Sequence, residues 1–419
     1  MESVLPSYTP SPPSPSYTPS SPSPSYSTEL LPEEQTVEAT RRAGSQYQNT
    51  GVFRRIADNI TLVLRDQRPG SITPVYGRNG PIRGHISLRS SEGLTDVSLK
   101  FEGHLRVNTS RTALTTSMAA ASYSLWNSSS DEPCPKTLPF MISVPPTFVE
   151  SDQSRPLPPS FEDKHDKATC SYTLSVVVSK PRRFLASFRS SDSLVVPIRY
   201  YPRCRPRTPM LPSDAPFLAT VKTSPEEWRQ VLCTMNATQR SRLAPVQCLL
   251  FIPSIQTYAL SDTIPFHLQL RGPPSALAPF LEKTQSDRSR SSSSSGEISI
   301  RVYLLRQLVL KAYDDNKIAS NQILGEAKLM YSGPLPENHH SYRNHPLCEG
   351  IDYLDWDGEL RCLENDTVGS FTTPTLSVRD YIVLSLDPLE PLKCPLIATK
   401  HYHPIRWVTD PWSDRALTG

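Results

Sequence analysis

Between Val97 and Asn108 the chain alternates without a break. Val97, Leu99, Phe101, Gly103, Leu105 and Val107 fall on one side, and Ser98, Lys100, Glu102, His104, Arg106 and Asn108 on the other. One side is apolar apart from the glycine and the other is wholly polar, as in a long antiparallel strand with one face in water. A second alternation follows the loop that begins at Pro158. There Tyr172, Leu174, Val176 and Val178 face one way, and Thr173, Ser175 and Ser179 face the other. A period of two belongs to a strand and not to a helix. The 43 prolines, against 16 glycines, extend the restriction to the rest of the chain, because proline is excluded from helix interiors and central strand positions. Short strands joined by loops are what such a chain can build.

Further strands are expected at Ile60 to Leu64, Ile82 to Leu88, Tyr123 to Trp126, Leu138 to Val144 and Leu194 to Tyr201. The proline-rich run Pro202 to Pro216 reads as the exit from a first domain. A second set follows at Val246 to Ile252, Ile264 to Leu270, Ile298 to Leu304, Gly325 to Tyr331, Ser377 to Leu386 and Leu396 to His401. Two successive sets of short strands indicate two β-sandwiches. One helix is signalled between them. Ser224, Pro225 and Glu227 supply a cap, a first-turn proline and a third-position acid, and Trp228, Val231, Leu232 and Met235 form a stripe at helical spacing.

The 419 residues suffice for two or three domains. A net charge of +3 speaks against a general polyanion binder, so no nucleic-acid partner is expected. Neither a secretory leader nor a membrane-spanning apolar run is evident, and the eight cysteines lack metal-ligand spacing. His339, His340, His345 and Cys348 sit in loop-like sequence. Asp352, Asp355, Asp357 and Glu359 lack calcium-loop spacing and read as a turn leaving a strand. No metal, cofactor or catalytic centre is expected, and no nucleophile elbow accompanies the serines.

Residues 1 to about 45 are dominated by Pro, Ser and Thr and hold too little apolar surface to fold. Within them Pro6-Ser7-Tyr8 returns as Pro15-Ser16-Tyr17 and again as Pro24-Ser25-Tyr26. Nine residues are three turns of polyproline II, so the tyrosines would share one face, roughly 28 Å apart. A run of Arg182, Arg183, Arg199, Arg203, Arg205 and Arg207 forms a candidate basic patch suited to anionic lipid headgroups or a phosphorylated tail.

Several stretches resemble the arrestin-like superfamily, in particular the fungal alpha-arrestin (arrestin-related trafficking adaptor) type. They are Tyr76 to Leu88, Val97 to Val107, Leu157-Pro158-Pro159-Ser160-Phe161, and the Tyr172 strand ending before Tyr200-Tyr201-Pro202-Arg203. The second half adds Ile264 to Leu268, Ile300 to Val309 and Phe371 to Val383. The resemblance implies an all-β fold of two tandem antiparallel immunoglobulin-like sandwiches. With the residue patterns it divides the chain into a disordered tail (1–50), a first sandwich (51–205), a linker with a short helix (206–245) and a second sandwich (246–410). It further implies a cytoplasmic, non-enzymatic adaptor, peripheral at the plasma membrane or endosomes, joining membrane protein cargo to a WW-domain HECT ubiquitin ligase.

The ligase motif of that family is Pro-Pro-x-Tyr. Here Leu5, Pro6 and Tyr8 give a Leu-Pro-x-Tyr variant, while Pro15 with Tyr17 and Pro24 with Tyr26 keep the second proline and the tyrosine. Loss of the first proline weakens each site, and three copies on one tail restore strength through effective concentration. An alternative makes the tail a phosphorylation platform that recruits a phospho-reader. Thr9, Ser11, Ser14, Thr18, Ser21 and Ser23 each precede a proline.

Overall fold

The computed structural model describes residues 34–36, 50–108, 113–129, 132–150, 153–181, 189–210, 217–281, 298–312, 315–332, 353–363 and 368–412. The described chain is all-β, with two successive sandwiches, a short helix, Phe217–Thr223, between them and a single helical turn, Pro274–Leu277, within the second. In the first sandwich Gly51–Ala57, Ile60–Gln67, Pro81–Leu88 and Thr137–Ser143 lie side by side in one sheet. The facing sheet runs Val75–Tyr76, Arg189–Tyr200, Ala168–Pro181, Asp96–Asn108, Ala113–Asn127. Ala168–Pro181 is therefore central, and Tyr172, Leu174, Val176 and Val178 on its inner face are at most 1% exposed. They meet Gly103, Phe101, Leu99 and Val97 in antiparallel register. The two alternations that most constrain the sequence thus lie against each other.

The second sandwich repeats the order of both sheets. Trp228–Met235, Val246–Pro253, Thr263–Arg271 and Tyr353–Arg361 make one sheet, extended by Met330–Tyr331. Thr257–Ala259, Thr399–Val408, Leu376–Pro388, Ile298–Ala312 and Asp315–Glu326 make the other. Even the exceptions match. The pairing is antiparallel except where Val75–Tyr76 runs parallel to the end of Arg189–Tyr200, and Thr257–Ala259 to the end of Thr399–Val408. Small strands Phe161–Glu162 and Phe371–Thr372 join the corresponding central strand in each half.

The helix is not where its capping signals point. Ser224 to Glu227 gives only a single 3-10 turn, Pro225–Glu227, and Trp228–Met235 continues as a strand beside Val246–Pro253. The physical reason is cross-strand pairing: Val231 faces Leu250, Cys233 faces Cys248 and Met235 faces Val246, while Leu232 is left 60% exposed. The acidic stretch is likewise a strand and not a turn. In Tyr353–Arg361, Leu354, Trp356 and Leu360 point inward while Asp355, Asp357 and Glu359 line the other face. The serine-rich stretch before Tyr123 also belongs to a strand, Ala113–Asn127, paired along Asp96–Asn108.

Candidate functional site

The two sandwiches pack directly on each other. Leu308, Leu310, Val368, Phe371, Leu376 and Val378 of the second belong to the same apolar cluster as the core of the first. At the contact, equivalent positions carry equivalent devices. Ser160 accepts the Tyr200 N–H on its hydroxyl at 2.8 Å, and Ser370 accepts the Trp407 N–H in the same way at 2.8 Å. Each serine is followed by a phenylalanine, and the Phe161 and Phe371 rings meet edge to face at 5.5 Å. Ser320 adds a hydrogen bond across the junction to Asp163, 2.9 Å.

Behind these serines the two halves solve one problem with different chemistry. In the first, the Tyr172 hydroxyl donates to the Pro158 carbonyl at 2.7 Å, and its ring covers Gly103 opposite. At the matching positions of the second stand Asp380 and Arg306, also opposite one another. Arg306 donates through Nε to Asp380 (2.8 Å) and through Nη2 to the Val368 carbonyl (2.8 Å). Ser370 donates to the same carboxylate at 2.6 Å. Asp380 is wholly buried, and its charge is matched by the guanidinium and a hydroxyl, as a buried charge requires.

A cleft of about 70 Å³ opens at the junction, lined by Arg78, Leu157, Tyr201, Arg203, Arg406 and Thr409 among others. That volume has room for a few waters at most, far below the size of an ordinary small-molecule pocket. Arg203 donates to Asp410 through Nε at 3.0 Å and also through Nη2, so its charge is spent inside the junction. Arg205 donates from Nη1 to the Trp412 carbonyl at 3.4 Å, and the Arg207 carbonyl accepts from the Trp412 indole at 3.1 Å. Arg199 stands over the Tyr201 ring at 5.8 Å. The structure thus gathers Arg203, Arg205 and Arg207 along the exit of the first sandwich. Arg182 and Arg183 lie outside the described residues, as do the tail positions Leu5 to Tyr26 with their tyrosines and Ser/Thr-Pro sites, and His339, His340, His345, Cys348 and Asp352. What is described of the N-terminal segment is Glu34–Thr36, a short strand antiparallel to Cys204–Pro206.

One polar cluster went unread in the sequence. His267, on Thr263–Arg271, lies on the outer face of its sheet yet is 2% exposed. Its Nδ1 is 2.7 Å from Asp357 and its Nε2 is 3.4 Å from Asp355. Phe217 of the helix stacks flat on the imidazole, with centroids 4.1 Å apart. Burial opposes a charge on His267, but the hydrogen bonds to Asp355 and Asp357 outweigh it and raise the pKa above the ordinary histidine value. Burial alone would raise Asp357; the bond to His267 instead holds it below the usual carboxylate range. The imidazole is clasped between two acids and an aromatic lid. The signal that could have found it is the i, i+2 spacing of Asp355 and Asp357, which sets two carboxylates on one strand face. His403 behaves oppositely, since burial, with Arg229 nearby, depresses its pKa to about 4.

Among the described residues no group of three or more His, Cys, Asp or Glu is placed to hold a metal ion, and no helix is long and apolar enough to cross a membrane. The fold and junction define a tandem β-sandwich chain with its N-terminal segment attached at the interdomain exit. No family model matches the chain, and no curated protein matches it.

Proposed function

We propose that the chain is a non-enzymatic adaptor of the alpha-arrestin type, linking membrane protein cargo to a WW-domain HECT ubiquitin ligase for endocytic sorting at the cytoplasmic face of a membrane. The observation that carries the reading is the attachment of the N-terminal segment, through Glu34–Thr36, to the exit strand between two packed sandwiches. The tyrosine repeats end at Tyr26, only a few residues before that attachment. An adaptor needs a broad, rigid body to meet cargo and a short linear element to meet the ligase. The paired sandwiches suit the first need and the proline-organised tyrosines the second. Three imperfect motifs on one tail gain strength against a ligase with several WW domains.

The test is a pull-down of WW-domain ligases by the full chain and by the Tyr8→Ala, Tyr17→Ala, Tyr26→Ala triple variant. The full chain should retain the ligase and the variant should lose at least tenfold. Equal retention by both would remove the docking role from the tyrosines.

A further inference from the structure

The exit strand Cys204–Pro206 has two edges, and both are engaged. On one side the Cys204 N–H donates to the Thr409 hydroxyl oxygen at 2.9 Å, and the Cys204 carbonyl accepts from the Asp410 N–H at 2.9 Å. The Thr409 hydroxyl is within donating distance of both Asp410 Oδ2 (2.7 Å) and the Cys204 carbonyl (3.1 Å). With the Arg203–Asp410 pair and the Trp412 contacts, this edge is fastened to the end of the second sandwich. Backbone groups of successive residues in an extended strand point to opposite sides. Cys204 having turned toward Thr409, Arg205 must present its N–H and carbonyl on the other edge. That edge is where Glu34, Gln35 and Thr36 pair with Pro206, Arg205 and Cys204. Pro206 has no N–H to give, so Gln35 and Arg205 are the pair placed to exchange two backbone hydrogen bonds.

We propose that the outer edge of Cys204–Pro206 is a strand-docking site whose occupant is the chain's own N-terminal segment, and that its occupancy is coupled to the hold of the second sandwich on the same strand. A pairing only three residues long is too short to be stable by itself, so it depends on the strand being kept extended from the far side. Coupling of this kind is reciprocal. Whatever loosens residues 409–412 releases the tail, and a tail pulled away loosens the junction. Docked, the tail holds Tyr26 eight residues from Glu34 (34 − 26), within roughly 28 Å of the junction at full extension. The coupling rests on the backbone geometry alone and stands whether or not a ligase binds the tyrosines.

Hydrogen exchange on the full-length chain tests it, reading the amides of residues 34–36 and of Arg205. Gln35→Pro removes the N–H that faces Arg205 and should raise exchange at Arg205 at least tenfold, while Gln35→Ala should leave it unchanged. Thr409→Val, which keeps shape and removes the hydroxyl, should raise exchange at residues 34–36 without touching them. Asp410→Asn serves as a second, milder probe of the same edge. Protection of Arg205 that survives Gln35→Pro would overturn the docking site. Unchanged exchange at residues 34–36 in both Thr409→Val and Asp410→Asn would overturn the coupling. Protection that fell on dilution would assign the strand to a second copy and overturn the claim that the occupant is internal. The triple tyrosine variant should exchange like the parent chain, so failure of ligase docking and failure of this proposal are separable.

Discussion

Gly103 and Arg306 occupy the same place in their sandwiches and could hardly differ more. The Tyr172 ring lies where a side chain on Gly103 would go, with two ring carbons 2.5 and 2.6 Å from the position of a Cβ. In the other half an arginine fills that room and meets an aspartate instead of a tyrosine. Both arrangements end on the same backbone carbonyl, of Pro158 or of Val368. The apolar partners of these residues were legible, because Leu99, Phe101, Leu174 and Val176 follow a plain alternation. Arg306 and Asp380 were not, since a charged residue on an inner face contradicts the pattern until its partner is known. Removing one charge strands the other. Asp380→Ala should therefore destabilise the chain by about 3–5 kcal/mol, and the double change Arg306→Leu, Asp380→Leu by clearly less. Urea midpoints of the three proteins check this, and an Asp380→Ala variant as stable as the parent would refute it.

Among the elements, Trp228–Met235 shows why a sequence can point to the wrong structure. Residues four apart share a face in a helix and also in a strand, so Val231 and Met235 fit both. Only Cys233 inside and Leu232 outside separate the two, and the choice is made by pairing with Val246–Pro253, which local signals do not contain. The proline and acids at Ser224–Glu227 were real punctuation, marking the turn into the strand. The true helix, Phe217–Thr223, carries no acidic residue in its first turn and is held from outside, by Phe217 stacked on His267. Because the folded-state pKa of His267 is raised above 6.5, the stability it adds is complete below that value. It is lost as pH rises through the folded-state pKa. Deprotonation leaves Asp355 and Asp357 facing a neutral ring, with Gln269 bonded to Asp355 and Phe251 beside Phe217. Amide exchange in residues 217–223, corrected for its intrinsic pH dependence, should increase from pH 6 to 9. His267→Gln should be looser at pH 6 and show a flat profile. A parent profile as flat as that of the variant would dismiss the clasp.

At the scale of the whole molecule the succession of two sandwiches was readable from two sets of strands with a proline-rich exit between them. Their common topology is written only in short, scattered matches, the run Pro197-Ile198-Arg199 against Pro404-Ile405-Arg406 and such pairs as Tyr76 and Tyr258, Ser160 and Ser370, or Phe161 and Phe371, which mean little until strand register aligns them. Since the first core includes Leu308, Leu310 and Phe371 of the second half, the two halves should unfold together. Calorimetry should show one transition, and Phe161→Ala with Phe371→Ala should show a coupling energy of about 0.5–1.5 kcal/mol in a double-mutant cycle. Two resolved transitions, with additive mutants, would mean the halves are energetically independent. Those two rings carry one more consequence. They hold the same position in their respective sandwiches, and they touch. Contact between identical positions is the mark of an isologous patch, one that fits a second copy of itself. Held in one polypeptide, such a pairing does not fade on dilution, and each half keeps its own chemistry behind the shared ring, Tyr172 in one and Asp380 in the other.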